Sequence, residues 1–396
     1  MSHTLPPAPW TQSAALAALV AALGAENARW VGGAVRDTLL GIEAVDVDCA
    51  TPLVPEEVIR RCEAAGIRTV PTGIEHGTLT AILKGHEGAG TVEVTTLRRD
   101  VATDGRRATI AFASEWREDA ARRDFTINAL YAHPETLEVS DYFGGLEDLA
   151  ARRVRFIGAA AERIAEDHLR ILRYYRFQAR FGAALDEEAE EACARLAPTL
   201  KGLSRERIAD ELLKLLALPD PGATVRRMFE RSVLGVVLPE TCGAMVNALE
   251  RLIAHEAKEG AAPGPLRRLA ALLPPSTDVA ETVSARLRLS KAQRARLVSA
   301  ADRREEDTAE PRALAYRISP EFAVDRLLLL GASLSPLESW EPPQFPLKGG
   351  TIVARGVGAG PEVARILQAV ERRWIAEGFP HKARVEALLD EILGQD

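Results

Sequence analysis

Apolar and polar positions follow two different periods along this chain. Within the first 150 residues, segments of strand character, rich in Val, Ile, Thr and Trp and bounded by turn residues, lie at 28–31, 45–49, 67–71, 78–84 and 91–97. From about residue 159 onward, apolar side chains recur at helical spacing, as in Ile208, Leu212 and Leu215. The pattern predicts an α+β N-terminal part followed by an all-helical remainder.

The helical remainder divides into several predicted segments. Helices are expected at 161–181, 187–196, 204–216, 222–229 and 284–301. Prolines at 336, 342, 343 and 346 mark a connecting segment before a last helical piece at 361–393. We therefore predict boundaries after residues 150 and 330, where the pattern changes.

The composition is that of a folded globular protein, and it argues against a nucleic-acid coat protein or a membrane protein. Of 396 residues, 47% are hydrophobic and 27% are charged, which is typical of a folded globular chain. With 50 Lys and Arg against 57 Asp and Glu, the net charge of −7 argues against indiscriminate coating of nucleic acid. No apolar run approaches the roughly 18 residues of a membrane span, and the start lacks a signal-peptide pattern. We expect a soluble, cytoplasmic protein with no membrane partner.

The local charge of one predicted helix differs from this global balance. Residues 151–182 contain eight arginines against three acidic residues. Four of these arginines form a stripe at helical intervals, at positions 170, 173, 176 and 180. We expect an anionic ligand at this helix.

Two motifs near the N-terminus combine an anion site with a cation site. Gly32 and Gly33 lie between a predicted strand and a helix start, where backbone amides can approach a phosphate, and Arg36 follows them. Asp46 and Asp48 alternate in a strand-like segment, so both carboxylates would share one face and repel unless a hard cation lies between them. Magnesium, which binds carboxylates together with substrate phosphates, meets that need. A nucleotide–metal site is predicted.

Further polar residues extend this candidate site. Glu93 lies between two apolar strand residues, so it either points to solvent or joins the two aspartates, as in sites where carboxylates hold two ions for phosphoryl transfer. Asp124 and Asn128 are four residues apart in a segment predicted to be helical, which also contains Arg123. A salt-bridged surface helix is the alternative, but a solvated face rarely needs Asn, a poor helix former, in its middle.

In six ordered motifs the chain resembles the class II tRNA nucleotidyltransferase and bacterial poly(A) polymerase family: G-G-A-V-R-D (32–37), D-V-D (46–48), E-V-T-T-L-R (93–98), R-R-D-F-T-I-N-A-L (122–130), D-Y-F-G-G-L-E-D-L (141–149) and E-D-H-L-R-I-L-R-Y-Y-R-F (166–177). The match extends to S-R-E-R-I-A-D-E-L-L-K-L-L (204–216) and, more weakly, to the tail. The resemblance implies a polymerase-β-like nucleotidyltransferase head with a small mixed sheet at 1–150, followed by an all-α neck at 151–220, body at 221–330 and RNA-binding tail at 331–396.

The resemblance also assigns roles to matching positions. It implies that Asp46 and Asp48 bind magnesium, two ions in all, with Glu93 as the third catalytic carboxylate. It implies that the nucleotide-binding residues are Gly32, Gly33, Arg36, Arg123, Asp167, Arg170, Arg173 and Arg176. Among these, Asp167 and Arg170, neighbours on one predicted helix, would read the base, because Asp accepts and Arg donates hydrogen bonds. Segment 98–109 corresponds to a family loop that helps switch the site from CTP to ATP, with Gly105 as its pivot.

The function implied is template-independent addition of C, C and A to the tRNA 3′ end from CTP and ATP, with release of pyrophosphate. A poly(A) polymerase of the same superfamily, an enzyme adding only C or only A, and a non-catalytic RNA-binding protein are the alternatives. The intact Asp46, Asp48 and Glu93 argue against the last of these.

Overall fold

Strands among the described residues lie within the first 141 positions. The computed structural model describes residues 3–83, 90–103 and 108–394, and the chain divides into two compact units, Met1–Pro239 and Glu240–Asp396. The strands, all in the first unit, are β1 (His3–Thr4), β2 (Arg29–Val31), β3 (Asp48–Thr51), β4 (Arg68–Gly73), β5 (Thr78–Ile82), β6 (Thr91–Thr96), β7 (Arg98–Thr103), β8 (Ala108–Phe112), β9 (Leu130–Ala132) and β10 (Glu138–Asp141).

Eight of these strands form one mixed sheet in the order β1-β10-β9-β2-β3-β6-β5-β4. Its neighbouring strands are antiparallel except β3 and β6, which run parallel. Alternation explains why β6 forms: Val92 and Val94 are buried in the core, whereas Glu93 between them is exposed. The sheet therefore presents Glu93 on the face opposite its apolar neighbours.

The segment 98–109 differs from the predicted loop. Its described parts are β7 and β8, which pair antiparallel as a separate two-stranded sheet. Gly105, the expected pivot, lies outside the described residues.

Helices surround the sheet and then continue as the rest of the first unit. They are α1 (Ala14–Leu23), α2 (Gly33–Leu39), α3 (Pro55–Ala64), α4 (Trp116–Ala121), α5 (Gly145–Ala150), α6 (Ala160–Glu166), α7 (Arg170–Phe181), α8 (Glu187–Leu196), α9 (Arg205–Leu216), α10 (Gly222–Glu230) and α11 (Leu234–Val237). Helix α7 is amphipathic: Ile171, Tyr174 and Tyr175 are buried in the core. Its arginines lie on the other side.

The prediction of one continuous helix at 161–181 is wrong, because the helix is interrupted between α6 and α7. Asp167 has an extended backbone, with φ −150° and ψ 105°. Its carboxylate accepts a hydrogen bond from the backbone N–H of Leu169 at 3.1 Å. Aspartate favours such local bonds to the backbone over a continuing helix, so the residue that was expected inside a helix precedes one.

The second unit is helical throughout its described residues. Its helices are α12 (Gly243–Lys258), α13 (Pro265–Ala271), α14 (Thr277–Arg286), α15 (Lys291–Ala301), α16 (Pro311–Ile318), α17 (Pro320–Leu329), α18 (Gly349–Ala354), α19 (Pro361–Ala376) and α20 (Lys382–Leu393). The predicted helix at 284–301 is two helices, because Arg288 adopts a positive φ of 52° and Ser290 caps α15. The last helical piece is likewise two helices, separated at Gly378 and Pro380.

Two features hold the second unit together. One apolar cluster joins α18, α19 and α20 around the buried side chains of Ile352, Trp374 and Leu388. The other is a buried ionic network in which Arg267 contacts Glu256 at 2.6 Å and Asp325 at 2.9 Å. Removal of one partner would leave an uncompensated buried charge, which is strongly destabilising.

The predicted fold class, a mixed sheet with helices followed by a helical remainder, is confirmed. The finer boundaries after residues 150, 220 and 330 stay predictions. Across the described residues, no helix combines the length and the apolar character needed to cross a membrane.

Candidate active site

Three predicted carboxylates lie at one end of parallel strands β3 and β6. Asp48 is the first residue of β3 and pairs in register with Glu93 of β6. Asp46 precedes the strand in an exposed, irregular segment, so the predicted strand at 45–49 begins three residues too early. The two aspartates therefore do not share a strand face by alternation, although both border the same cavity.

The electrostatic environment of Asp48 fits a cation. Burial raises the pKa of the Asp48 carboxyl to about 6, and the negative charges of Glu93 and Asp46 raise it as well, while Arg123 lowers it. Among the described residues, no group of three or more His, Cys, Asp or Glu side chains is arranged to hold a metal ion. Two carboxylates suit a cation such as magnesium, which takes its other ligands from water and substrate phosphates.

Replacing Asp48 with asparagine is expected to stabilise the metal-free protein at alkaline pH. Because the folded-state pKa of about 6 lies above the ordinary 3.8, stability present below about pH 4 is lost as the pH rises through about 6. We expect the free energy of unfolding at pH 8 with EDTA to rise by about 1–3 kcal/mol, with no change at pH 3.5. Urea denaturation measures this difference, and a lower midpoint for the variant at pH 8 would contradict the environment described. Glu75→Gln, an exposed carboxylate change, is the matched control.

The glycine turn brings backbone close to this charged group. Gly32 lies between β2 and α2 and has φ 69° and ψ −127°, a conformation that favours glycine. A Cβ atom at Gly32 would lie 3.5 Å from Arg123 Nη1 and 3.8 Å from Asp48 Oδ2. The turn thus places backbone beside one cation and one carboxylate, and its part in a phosphate–metal site stays a prediction.

Arg36, on the first turn of α2, is more enclosed than the sequence indicated. Only 4% of it is exposed, and its Nε donates to Asp37 Oδ1 at 2.8 Å. Its guanidinium lies 5.2 Å from the ring centre of Phe177 and 4.4 Å from that of Phe181, both on α7. Arg36 therefore borders the cavity while it also fixes α2 against α7.

The R-R-D-F-T-I-N-A-L segment is not the predicted helix. It turns through a short 3₁₀ helix, Thr126–Asn128, and Asn128 is held because its amide donates to Asp124 Oδ1 at 3.0 Å. Arg123 is held from behind: Tyr131 accepts from its Nε at 3.0 Å, and Asp119 accepts from its Nη2 at 3.3 Å. Sequence reasoning missed both partners, although Asp119 lies four residues before Arg123.

Asp167 and Arg170 each have another partner. Because Asp167 precedes α7, it is not a helical neighbour of Arg170; its Oδ2 accepts from Arg207 Nη2 of α9 at 2.6 Å. Arg170 forms an ion pair with Glu166 at the end of α6 and donates to the Arg163 carbonyl at 2.7 Å. The predicted pair therefore consists of an acceptor and a donor that are positioned separately.

The remaining arginines of α7 are positioned by acidic residues. Arg173 Nη2 contacts Asp124 Oδ2 at 2.6 Å, and Arg176 Nε contacts Glu211 Oε2 of α9 at 2.6 Å. Burial alone would raise the pKa of Asp124, but Arg173 and the hydrogen bond from Asn128 lower it to about 2. Glu211 was not singled out from the sequence, since only the packing of α9 against α7 brings it here.

All eleven predicted site residues border one cavity of about 1000 Å³ in the first unit. The other described residues that line it are mostly polar: Asp37, Val45, Arg98, Arg122, Asp124, Asn128, Phe177, Arg180 and Lys214. Carboxylates lie at the sheet end and arginines along α7. This arrangement can hold a polyanion against a carboxylate-bound cation.

Comparison with known proteins agrees with this geometry. Residues 28–155 match the poly A polymerase head domain, and residues 182–245 match a domain described as the probable RNA and SrmB-binding site of polymerase A. The mitochondrial CCA tRNA nucleotidyltransferase 1 of Mus musculus is 36% identical over 376 residues, covering 89% of this chain and 83% of the mouse protein. That of Danio rerio is 37% identical, covering 92% and 86% of the two chains.

A solved structure is similar over nearly the whole length. The CCA-adding enzyme of Bacillus stearothermophilus in complex with CTP has a TM-score of 0.75 and 27% identity, covering 98% of this chain and 99% of that one. The chain thus has the fold of a nucleotidyltransferase with a helical C-terminal part. It belongs to the CCA tRNA nucleotidyltransferase family.

Proposed function

We propose that this protein adds C, C and A to the 3′ end of tRNA from CTP and ATP, releasing pyrophosphate. The observation that carries the proposal is the single cavity in which the carboxylates Asp46, Asp48 and Glu93 face the arginines of α7. The relatives named as CCA tRNA nucleotidyltransferases, and the related enzyme solved with CTP, support it.

The reaction is a phosphoryl transfer to a hydroxyl. The 3′-hydroxyl oxygen of the RNA forms a bond to the α-phosphorus of the nucleotide, and the bond from that phosphorus to the β-phosphate oxygen breaks. Pyrophosphate leaves with the electron pair. The hydroxyl proton passes to one of the three carboxylates. We assign this role to Glu93, because it is exposed and is not one of the two proposed cation ligands.

Asp46 and Asp48 would hold divalent cations, which we propose to be two magnesium ions. When bound, they lower the pKa of the attacking hydroxyl and stabilise the charge on the leaving pyrophosphate. Gly32, Gly33 and Arg36 are assigned to the triphosphate, because they border the cavity and Arg123 lies beside the same turn.

Base choice is assigned to the polar residues around the start of α7. Asp167 accepts hydrogen bonds and Arg170 donates them, so the pair complements cytosine and adenine, which offer an amino donor beside a ring-nitrogen acceptor. Uracil and guanine present the reverse pattern on this edge. Arg173 and Arg176 are assigned to the nucleotide, held in place by Asp124 and Glu211.

Incubation with defined tRNA transcripts tests this proposal. With magnesium, CTP and ATP, transcripts ending at the discriminator base, at C and at CC are all expected to finish as CCA when the products are sequenced. Long A tails would instead indicate a poly(A) polymerase, and addition that stops at CC or adds only A would indicate a partial enzyme. No extension of any transcript would contradict the proposal.

The proposed cellular location rests on the sequence. A cytoplasmic location is our proposal from composition and the lack of a long apolar run. The mouse and zebrafish relatives are named as mitochondrial proteins.

A further inference from the structure

A second cavity lies beside the active site in the first unit. It has a volume of about 940 Å³ and borders residues 41–45 and 47, in the loop that joins α2 to β3. Its described walls, which we call the apolar groove, are Pro6, Pro7, Ala8, Pro9, Trp10, Ser13, Leu16, Thr38, Gly41, Ile42, Glu43, Ala44, Val45, Val47, Leu83, Gly90, Thr91 and Val92. Residues 84–89 lie outside the described part of the chain. The size lies within the usual range for small-molecule pockets, about 300–1000 Å³.

The loop exposes apolar side chains directly before the catalytic carboxylates. Val45 is 89% exposed and Ile42 is 40% exposed. Val45 borders both cavities, whereas Val47 borders only the apolar groove and Asp46 only the active-site cavity. The groove therefore continues from the active site across Val45.

The chemistry of the groove suits a nucleobase better than a phosphate. Trp10 has a fixed ring, because its Nε1 donates to Thr38 Oγ1 at 2.9 Å and its ring lies perpendicular to that of Trp30, with ring centres 5.9 Å apart. Glu43 is the charged side chain of the described lining, and no Lys or Arg occurs there. Apolar and aromatic walls stack bases, and a carboxylate accepts from the amino groups of cytosine and adenine.

The reaction needs a place for the RNA strand behind its 3′-hydroxyl. The incoming nucleotide occupies the side of the cavity lined by the arginines of α7, so the hydroxyl must reach Asp46 and Asp48 from another side. Resting on the proposed function, we propose that the apolar groove binds a base of the single-stranded RNA acceptor end, and that the strand crosses Val45 to reach the carboxylates.

Kinetics with a double variant test the groove. Ile42→Ser combined with Pro7→Ser removes apolar surface at two exposed groove residues that do not border the active-site cavity, and it adds no charge. We expect the KM for a tRNA transcript to rise about 5- to 50-fold, because the loss of apolar wall weakens the contact with the base, with the KM for CTP unchanged. Val54→Ser, which removes an exposed apolar side chain outside both cavities, is the matched control. An unchanged KM for tRNA in the double variant would overturn the proposal.

Photo-crosslinking locates the base directly. A transcript with 5-iodocytidine at its last or second-last position is irradiated on the wild-type protein, and the crosslinked tryptic peptides are sequenced. We expect adducts within residues 6–13, which lie in the tryptic peptide 1–29 and are remote in sequence from the carboxylates. Adducts confined to other peptides would overturn the proposal.

These outcomes separate the two proposals. If the wild-type protein extends no transcript, the proposed function fails. If it extends transcripts while the double variant and the crosslinks show no use of the groove, only the groove proposal fails.

Discussion

Replacing Asp46 with asparagine is expected to reduce nucleotide incorporation by about 10³-fold or more. The amide keeps the size of the side chain but removes the negative charge that would hold the cation. Stabilisation of transition-state charge by a metal ion is worth several kcal/mol, and each 1.4 kcal/mol is tenfold in rate. Steady-state incorporation of labelled CTP into a tRNA transcript ending at the discriminator base measures the loss.

The fold and RNA binding of this variant are expected to be retained. Asp46 is exposed and lies outside the strands, and loss of its charge relieves repulsion with Asp48. The arginines of α7 and their acidic partners are unaltered. Gel-shift affinity for tRNA is therefore expected within about twofold of wild type. Glu75→Gln is the control for charge loss at an exposed position, and an Asp46→Asn enzyme with near wild-type rate would refute the assignment of this residue to the metal.

Periodicity made the architecture predictable but not the ends of its elements. The alternation of Val92, Glu93 and Val94 identified β6 and the outward position of its carboxylate. The break before α7 was missed, because no glycine or proline marks it. The signal present was Asp167 itself, whose side chain accepts from the backbone of the turn before α7 and so competes with helix continuation. The spacing of polar and apolar residues does not distinguish a polar residue that bonds to its local backbone from one on the surface of a helix.

The residues that border the site were easier to predict than the residues that hold them in position. The motifs identified eleven residues that do border one cavity. The residues that hold them, such as Arg207 and Glu211, come from about 40 positions further along the chain. Their role depends on how α9 packs against α7, and a single sequence does not specify that packing. Their spacing of four on α9 showed only that they share one helix face.

The paired arginines also alter the interpretation of the local positive charge. Arginines outnumber acidic residues within 151–182, yet Arg173 and Arg176 form ion pairs with acidic residues from other segments. Pairing fixes each guanidinium in one orientation and lowers the entropic cost of ordering it on a nucleotide. The arginines of α7 are thus hydrogen-bond donors whose positions are fixed by their acidic partners. Nucleotide selectivity can therefore depend on individual side chains.

Replacing Asp167 with asparagine is expected to shift base choice from CTP toward UTP by about 10- to 100-fold in the ratio of their kcat/KM values. The carboxylate accepts from the amino group of cytosine, whereas the amide of asparagine can donate to the carbonyl oxygen of uracil at the equivalent position. A matched hydrogen-bonding pair contributes about 1–3 kcal/mol of discrimination. Single-turnover incorporation of each nucleotide into a transcript ending at C measures the ratio.

A purely structural role for Asp167 predicts a different result. Asparagine keeps an oxygen that can accept from Leu169 N–H, so the turn before α7 is preserved, and a structural effect would lower both rates equally. Asp167→Ala removes the acceptor without supplying a donor, so its discrimination against UTP is expected to fall while its absolute rate with UTP does not rise. Glu162→Gln, an exposed change on α6, is the matched control. An unchanged CTP-to-UTP ratio in Asp167→Asn would show that another residue reads this edge of the base.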